Sequence, residues 1–205
     1  AKGELLAYQG RYNEAIDILN KAIGKNESSS RAYHNLGYAL HGLKRYDEAM
    51  VSYDHALEID QHDAVAWCDR GIALSDLHRY EEAIASYNKT IEFGPRFELA
   101  HILKGDALRN IGRYEEAVVC YDDALAINPN SEEAWVNKGL AHDKLGRHEE
   151  AIRCYKKMIE LNPGRVESWI NMGNSLSDLG RNEEAISTYD QAIKLNPQLV
   201  EALID

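Results

Sequence analysis

The chain has 205 residues, 44% of them hydrophobic and 28% charged, inside the range of ordinary globular sequences. Asp and Glu number 34 against 23 Lys and Arg, and the net charge of −11 argues against a nucleic-acid or anionic-membrane partner. No run of 18 apolar residues exists, so no segment reads as membrane-spanning.

A fixed period organises everything else. Gly3, Gly37, Gly71, Gly105, Gly139 and Gly173 follow one another at intervals of 34 residues. Ala15, Ala49, Ala83, Ala117, Ala151 and Ala185 repeat in step with them, as do Arg11, Arg45, Arg79, Arg113, Arg147 and Arg181. A period of this size marks an array of structural repeats, in which each copy buries its apolar face on its neighbours. What all copies share builds the array, and what differs between them is free to serve a function.

In chain order, residues 1–29 form a partial repeat that ends in the polar stretch Gly24-Lys-Asn-Glu-Ser-Ser-Ser30, expected to be the loosest joint. Full repeats follow at 30–63, 64–97, 98–131, 132–165 and 166–199, and residues 200–205 open a further copy. Both ends fall in mid-repeat, so the chain reads as a piece of a longer array or a larger protein. The copy at 132–165 shows the logic. Ser131 is placed to cap a helix whose first turn holds Glu132 and Glu133, facing the positive end of the helix dipole. Ala134, Trp135, Gly139 and Leu145 recur at helical spacing, and Gly146 stops that helix, as Gly112 and Gly180 do elsewhere. A second helix opens at Glu149-Glu150 and carries Ala151, Ile152, Tyr155 and Ile159 on one stripe, ending at Asn162-Pro163. Each repeat is therefore two antiparallel helices, A then B. Gly139 and Ala151 let their backbones approach, and Tyr155 and its equivalents fill the space beside them. Nothing alternates with period two, so no strands are expected. Cys68, Cys120 and Cys154 are an odd number without a CxxC pair. They read as small semi-buried side chains and favour a reducing, cytoplasmic compartment.

These residues resemble the tetratricopeptide repeat family, as an array or array fragment of prokaryotic type. Trp67, Trp135 and Trp169 occupy the family's first aromatic position, the Gly and Ala series its two small positions, and Pro95, Pro129, Pro163 and Pro197 its closing proline. Glu27 and Gln61 replace that proline in the first two copies, and Thr90 and Met158 replace a later alanine. The resemblance covers the whole chain. It implies an all-α, right-handed superhelical solenoid of antiparallel helix pairs, with the A helices lining a concave groove where ligands lie.

The groove-facing places are the second, fifth, sixth, ninth, twelfth and thirteenth of each repeat. Subtracting the shared framework leaves Asn35, Tyr38, Asp69, Ile72, Asp76, Ile102, Leu103, Asp106, Asn137, Leu140, Asn171 and Asn174 as the candidate peptide-binding set. Val65, Leu99, Val136 and Ile170 add to its apolar content, and Glu133, Asp143, Glu167 and Asp178 to its acidic content. Asn35, Asn137 and Asn171 share the sixth position, where amides can grip an extended peptide backbone. This is similar to the asparagine ladder of a glycosyltransferase repeat region, though Asp69 and Leu103 interrupt it. A carboxylate clamp of the chaperone-binding kind needs Lys at the fifth position; His34, Cys68, Ile102, Val136 and Ile170 stand there instead, which rejects it. His34, Tyr38 and His41 share one helical face near Asp69 and Asp76, but coincidence outweighs a metal site there. With no phosphate loop, nucleophile motif or HExxH, neither an enzyme nor a cofactor or metal is expected.

The leading expectation is a protein-interaction scaffold whose groove takes a peptide or helix with apolar anchors and basic flanks. Two alternatives stand beside it: a non-catalytic targeting segment of a larger enzyme such as a glycosyltransferase, and an array that self-associates end to end.

Overall fold

A computed structural model describes residues 2–198; the residues read as opening a further repeat, 200–205, lie outside this range. Among the described residues there are twelve α-helices and no strand. They are α1 (Lys2–Tyr8), α2 (Tyr12–Ile23), α3 (Ser30–Gly42), α4 (Tyr46–Ile59), α5 (Ala64–Asp76), α6 (Tyr80–Phe93), α7 (Glu98–Asn110), α8 (Tyr114–Ile127), α9 (Glu132–Lys144), α10 (His148–Leu161), α11 (Val166–Asp178) and α12 (Asn182–Leu195). Odd-numbered helices are the A helices and even-numbered ones the B helices.

The chain divides into two compact units, Ala1–Ala107 and Leu108–Asp205. In the first, α1 to α6 pack each on the next, and the A helices α1, α3 and α5 also touch in succession. In the second, α8 to α12 pack in the same consecutive way, and α9 touches α11. The core is thus a layer threaded between helix pairs, as a solenoid requires.

The glycine series makes room for the tyrosines. A Cβ placed on Gly37, Gly71, Gly139 or Gly173 would lie 2.7, 2.5, 2.6 or 2.4 Å from the ring of Tyr53, Tyr87, Tyr155 or Tyr189. The glycine therefore receives the ring of its own B helix, a closer contact than simple backbone approach. Tyr53, Tyr87, Tyr121 and Tyr155 are fully buried, and burial pushes the phenols of Tyr53, Tyr87 and Tyr155 far above their ordinary range.

A-helix stops are left-handed residues. Gly112, Gly146 and Gly180 have φ of +78°, +69° and +72°, and Lys44 and His78 adopt the same conformation in the two copies that lack glycine there. Ser131 stands at the N-cap of α9, but its side chain makes no capping bond; Asp63 and Ser29 do cap α5 and α3 in that way. Every B helix begins after an arginine. Arg45, Arg79, Arg113 and Arg181 each grip the glutamate three residues on with two nitrogens at 2.6–2.7 Å. The recurrent tryptophan has a specific bond as well. The indole Nε1 of Trp67, Trp135 and Trp169 donates to the carbonyls of Gln61, Pro129 and Pro163 at 2.9–3.0 Å, tying each A helix to the turn that precedes it.

Candidate functional site

The twelve candidate groove residues sit on the A helices, eight in the first unit and four in the second, and each unit has its own wall. In the first unit, two of them point inward. Asn35 is only 4% exposed, and its amide donates to the carbonyl of Arg31 one turn back at 2.8 Å, so it is held by its own helix. Ile102 is only 3% exposed and belongs to the core. Tyr38, Asp69, Ile72, Leu103 and Asp106 are half-buried, and Asp76 is exposed.

Side chains at successive repeats are wired together across this wall. His34 Nε2 donates to Asp69 Oδ2, and His41 Nε2 to Asp76 Oδ2, each at 2.7 Å and each reaching from α3 to α5. Arg31 reaches back to Glu4 on α1 at 2.7 Å. The histidines and aspartates whose proximity the sequence suggests are therefore hydrogen-bond partners between repeats, and no cluster of three or more metal-ligating side chains occurs among the described residues. The ring of Tyr38 lies 5.3 Å from that of Tyr8, and burial is the main cause that raises its phenol above the ordinary value.

The most open apolar side chains of this wall are at the second position, Val65 at 50% and Leu99 at 41% exposed. Val65 borders a cleft of about 380 Å³ formed with Glu4, Tyr8, Arg31, His34, Asn35, Asp60 and Asp63. Its walls combine an aromatic ring and a valine with three carboxylates and one guanidinium.

In the second unit Asn137, Leu140 and Asn171 are half-buried and Asn174 is exposed. Leu140 packs against the core formed by Ile152, Tyr155, Met172 and Leu176. Asn174 accepts a hydrogen bond from Tyr189 at 2.8 Å through Oδ1. Glu133 and Glu167 are exposed at the second position, where the first unit has Val65 and Leu99. Between these helices Asp143 gathers donors that the sequence alone did not bring together. Tyr155 Oη donates to Oδ2 at 2.7 Å, and Ser175 Oγ and His148 Nδ1 reach Oδ1 at 2.8 and 3.1 Å. The signal for it was present only as an aspartate at the twelfth position, beneath a tyrosine shared by most copies.

Tetratricopeptide repeat profiles match residues 132–165, 166–199 and 28–94, and a TPR repeat profile matches 3–44 and 105–146. The chain belongs to the tetratricopeptide repeat family. No curated protein matches it significantly. Solved structures do. YrrB, described as a TPR protein with an unusual peptide-binding site, is 25% identical with a TM-score of 0.77 and covers 90% of this chain and 95% of its own. MamA from residue 41 onward, from Desulfovibrio magneticus RS-1, is 21% identical with a TM-score of 0.77 over 82% of this chain and 96% of its own. The C-terminal part of a TPR repeat-containing protein from Cytophaga hutchinsonii has a TM-score of 0.85 at 16% identity, covering 95% of this chain and 78% of its own.

Proposed function

We propose that the chain is a protein-interaction scaffold whose A-helix walls hold a peptide or helical segment with apolar anchors and basic flanks. The observation that carries this is the exposure of Val65 and Leu99 on the A-helix wall that also carries the half-buried Ile72 and Leu103. Exposed apolar side chains gathered on one face, edged by charge, mark an interaction site. The likeness to YrrB, a TPR protein with a peptide-binding site, supports the same reading.

Asn35 and Ile102 serve the wall from behind, since both are buried. Contacts fall to Val65, Ile72, Leu99 and Leu103 in the first unit and to Leu140, Asn171 and Asn174 in the second. Asp69 and Asp76 each present one oxygen to a histidine. A lysine or arginine of the ligand competes for the same carboxylates, which favours basic flanks. Cys68, Cys120 and Cys154 are buried as thiols, which suits a reducing compartment and a cytoplasmic protein.

A peptide array with apolar cores and basic, neutral or acidic flanks tests the reading. Basic-apolar peptides should bind best, and Leu103→Asp and Val65→Asp should each weaken them about tenfold or more, in line with the loss of a central apolar anchor. Equal binding across flank charges, together with unchanged binding by both variants at unchanged helical content, would remove the proposal.

A further inference from the structure

Clefts that share five repeat positions occur in the two units with different chemistry. In the first unit the cleft lies beside α3 and α4, has a volume of about 260 Å³ and is lined by Ile16, Leu36, Leu40 and Val51 with Asn20, Arg45, Glu48 and Ser52. In the second unit the cleft lies beside α9 and α10, has a volume of about 390 Å³ and is lined by Trp135, Lys138, His142, Glu150, Arg153, Cys154 and Lys157. Lys138, His142 and Arg153 stand where Leu36, Leu40 and Val51 stand in the first. The cleft uses the fourth, seventh and eleventh positions of α9, about half a turn around the helix from the second, sixth and ninth, so it is separate from the interaction wall.

Several departures coincide at this one copy. The eleventh position is leucine in the other four full repeats (Leu40, Leu74, Leu108, Leu176) and histidine here. His142 is only 8% exposed, and its buried Nδ1 has no hydrogen-bond partner. A polar ring in a leucine's place, with an idle nitrogen, weakens the core unless it has another use. The helix-start arginine is also diverted. Arg147 reaches back to Glu115 at 3.3 Å, and Glu150 is bonded by Arg153 at 2.9 Å instead. Lys138 spans to Asp122 of α8 while lying 5.5 Å from the Trp135 ring, and Lys157 pairs with Glu160. Three cations thus meet one buried imidazole in a chain whose net charge is −11.

We propose that this cleft is an oxyanion-binding site, holding a phosphoryl or sulfuryl group among Lys138, His142, Arg153 and Lys157. The carboxylates now facing these cations are exposed partners in weak surface pairs, which a doubly charged ligand displaces. Burial is the main cause that lowers the His142 imidazole below its ordinary value, and Lys138 and Arg147 act in the same direction while Glu150 and Asp122 oppose them. An anion at the cleft reverses that balance. The imidazole takes up a proton from solvent as the ligand enters, so binding strengthens as pH falls.

Sulfate is the probe, because its charge does not change across the range used. Titrated at constant ionic strength with chloride as the exchanged anion, it should shift the Trp135 indole and His142 ring resonances and bind about tenfold tighter near pH 5.5 than near pH 8, the scale of one protonation. His142→Leu, which restores the residue of the other repeats, should fold with undiminished helicity and bind equally weakly at both pH values. Arg153→Val, the residue of Val51 and Val119, should abolish the shifts. A phosphoserine tripeptide that binds tighter than sulfate assigns the group to a partner's side chain, and one that does not assigns the site to a free oxyanion. Resonances unmoved by sulfate at either pH, or an undiminished pH dependence in His142→Leu, would overturn the proposal. Either result leaves the interaction wall untouched.

Discussion

A methyl group on Gly71 would lie 2.5 Å from Cε1 of Tyr87, a ring buried completely between helices. Alanine favours the helix over glycine by about 1 kcal/mol, but forcing that ring aside costs about 1–3 kcal/mol. Gly71→Ala should therefore lower stability by up to about 2 kcal/mol in urea denaturation; a stabilising result would show that the ring can shift freely. The recurrence of glycine and tyrosine was readable from the chain, whereas their direct contact needed coordinates. The cysteines make a second residue-scale case. Burial pushes the Cys68 thiol up to about 12 and the Cys154 thiol up to about 11. With Cys120 also buried, a thiol reagent at about pH 8 should leave all three unmodified in the folded protein and label three after unfolding. Rapid labelling of the native chain would contradict this. The sequence read Cys120 and Cys154 as small, semi-buried side chains, and both are in fact buried.

Elements are held by bonds that recur once per repeat. The indole of Trp135 donates to Pro129, and Trp67→Phe or Trp135→Phe removes one such bond while keeping most of the apolar ring. Each should cost about 0.5–1.5 kcal/mol in thermal or chemical unfolding. The arginine–glutamate grips at the starts of the B helices hold Glu14, Glu48, Glu82 and Glu184 below the ordinary carboxylate range, chiefly through hydrogen bonds from Arg11, Arg45, Arg79 and Arg181. In the unfolded chain these glutamates take up protons first, so the stability they contribute is present above about pH 4.5 and is lost as pH falls below it. His142 acts in a higher window. Its folded value is depressed by burial, so its contribution is present above about pH 6.5 and lost as pH falls through and below that point. Stability measured from pH 7 down to 5 should decline in the parent chain and decline less in His142→Leu; parallel curves would sink that assignment. The sequence revealed the arginines as a series, but an arginine followed three places later by glutamate has several possible partners. Arg147 shows this, since it alone of the series is seen reaching Glu115 in the preceding B helix.

At the scale of the molecule, packing within each unit passes from one helix to the next and to little else. Stability in such arrays is close to a sum of repeat and nearest-neighbour terms, so damage should stay local. Tyr155→Ala empties the space beside Gly139 and removes the donor to Asp143, and it should speed amide hydrogen exchange in α9 to α12 while leaving α1 to α4 nearly unchanged. Uniform acceleration through both units would show a single cooperative block instead.

The sequence by itself determined the period, the helix pairs, the places of glycine and tyrosine in the frame, and the family, because these depend on spacing along the chain and on residues repeated in every copy. Tertiary structure decided which members of the varied set are open and which are covered. Asn35 and Ile102 occupy groove positions by spacing yet are enclosed, while Val65 and Leu99 stand out. It also decided that His34 and His41 spend their polarity on Asp69 and Asp76, and that the cleft beside α9 and α10 gathers Lys138, Arg153 and Lys157 around a buried histidine. The reason is range: helical periodicity fixes the direction of a side chain within its own helix, but its cover and its partner come from side chains about 15 to 35 residues away, whose size and charge no local pattern reports.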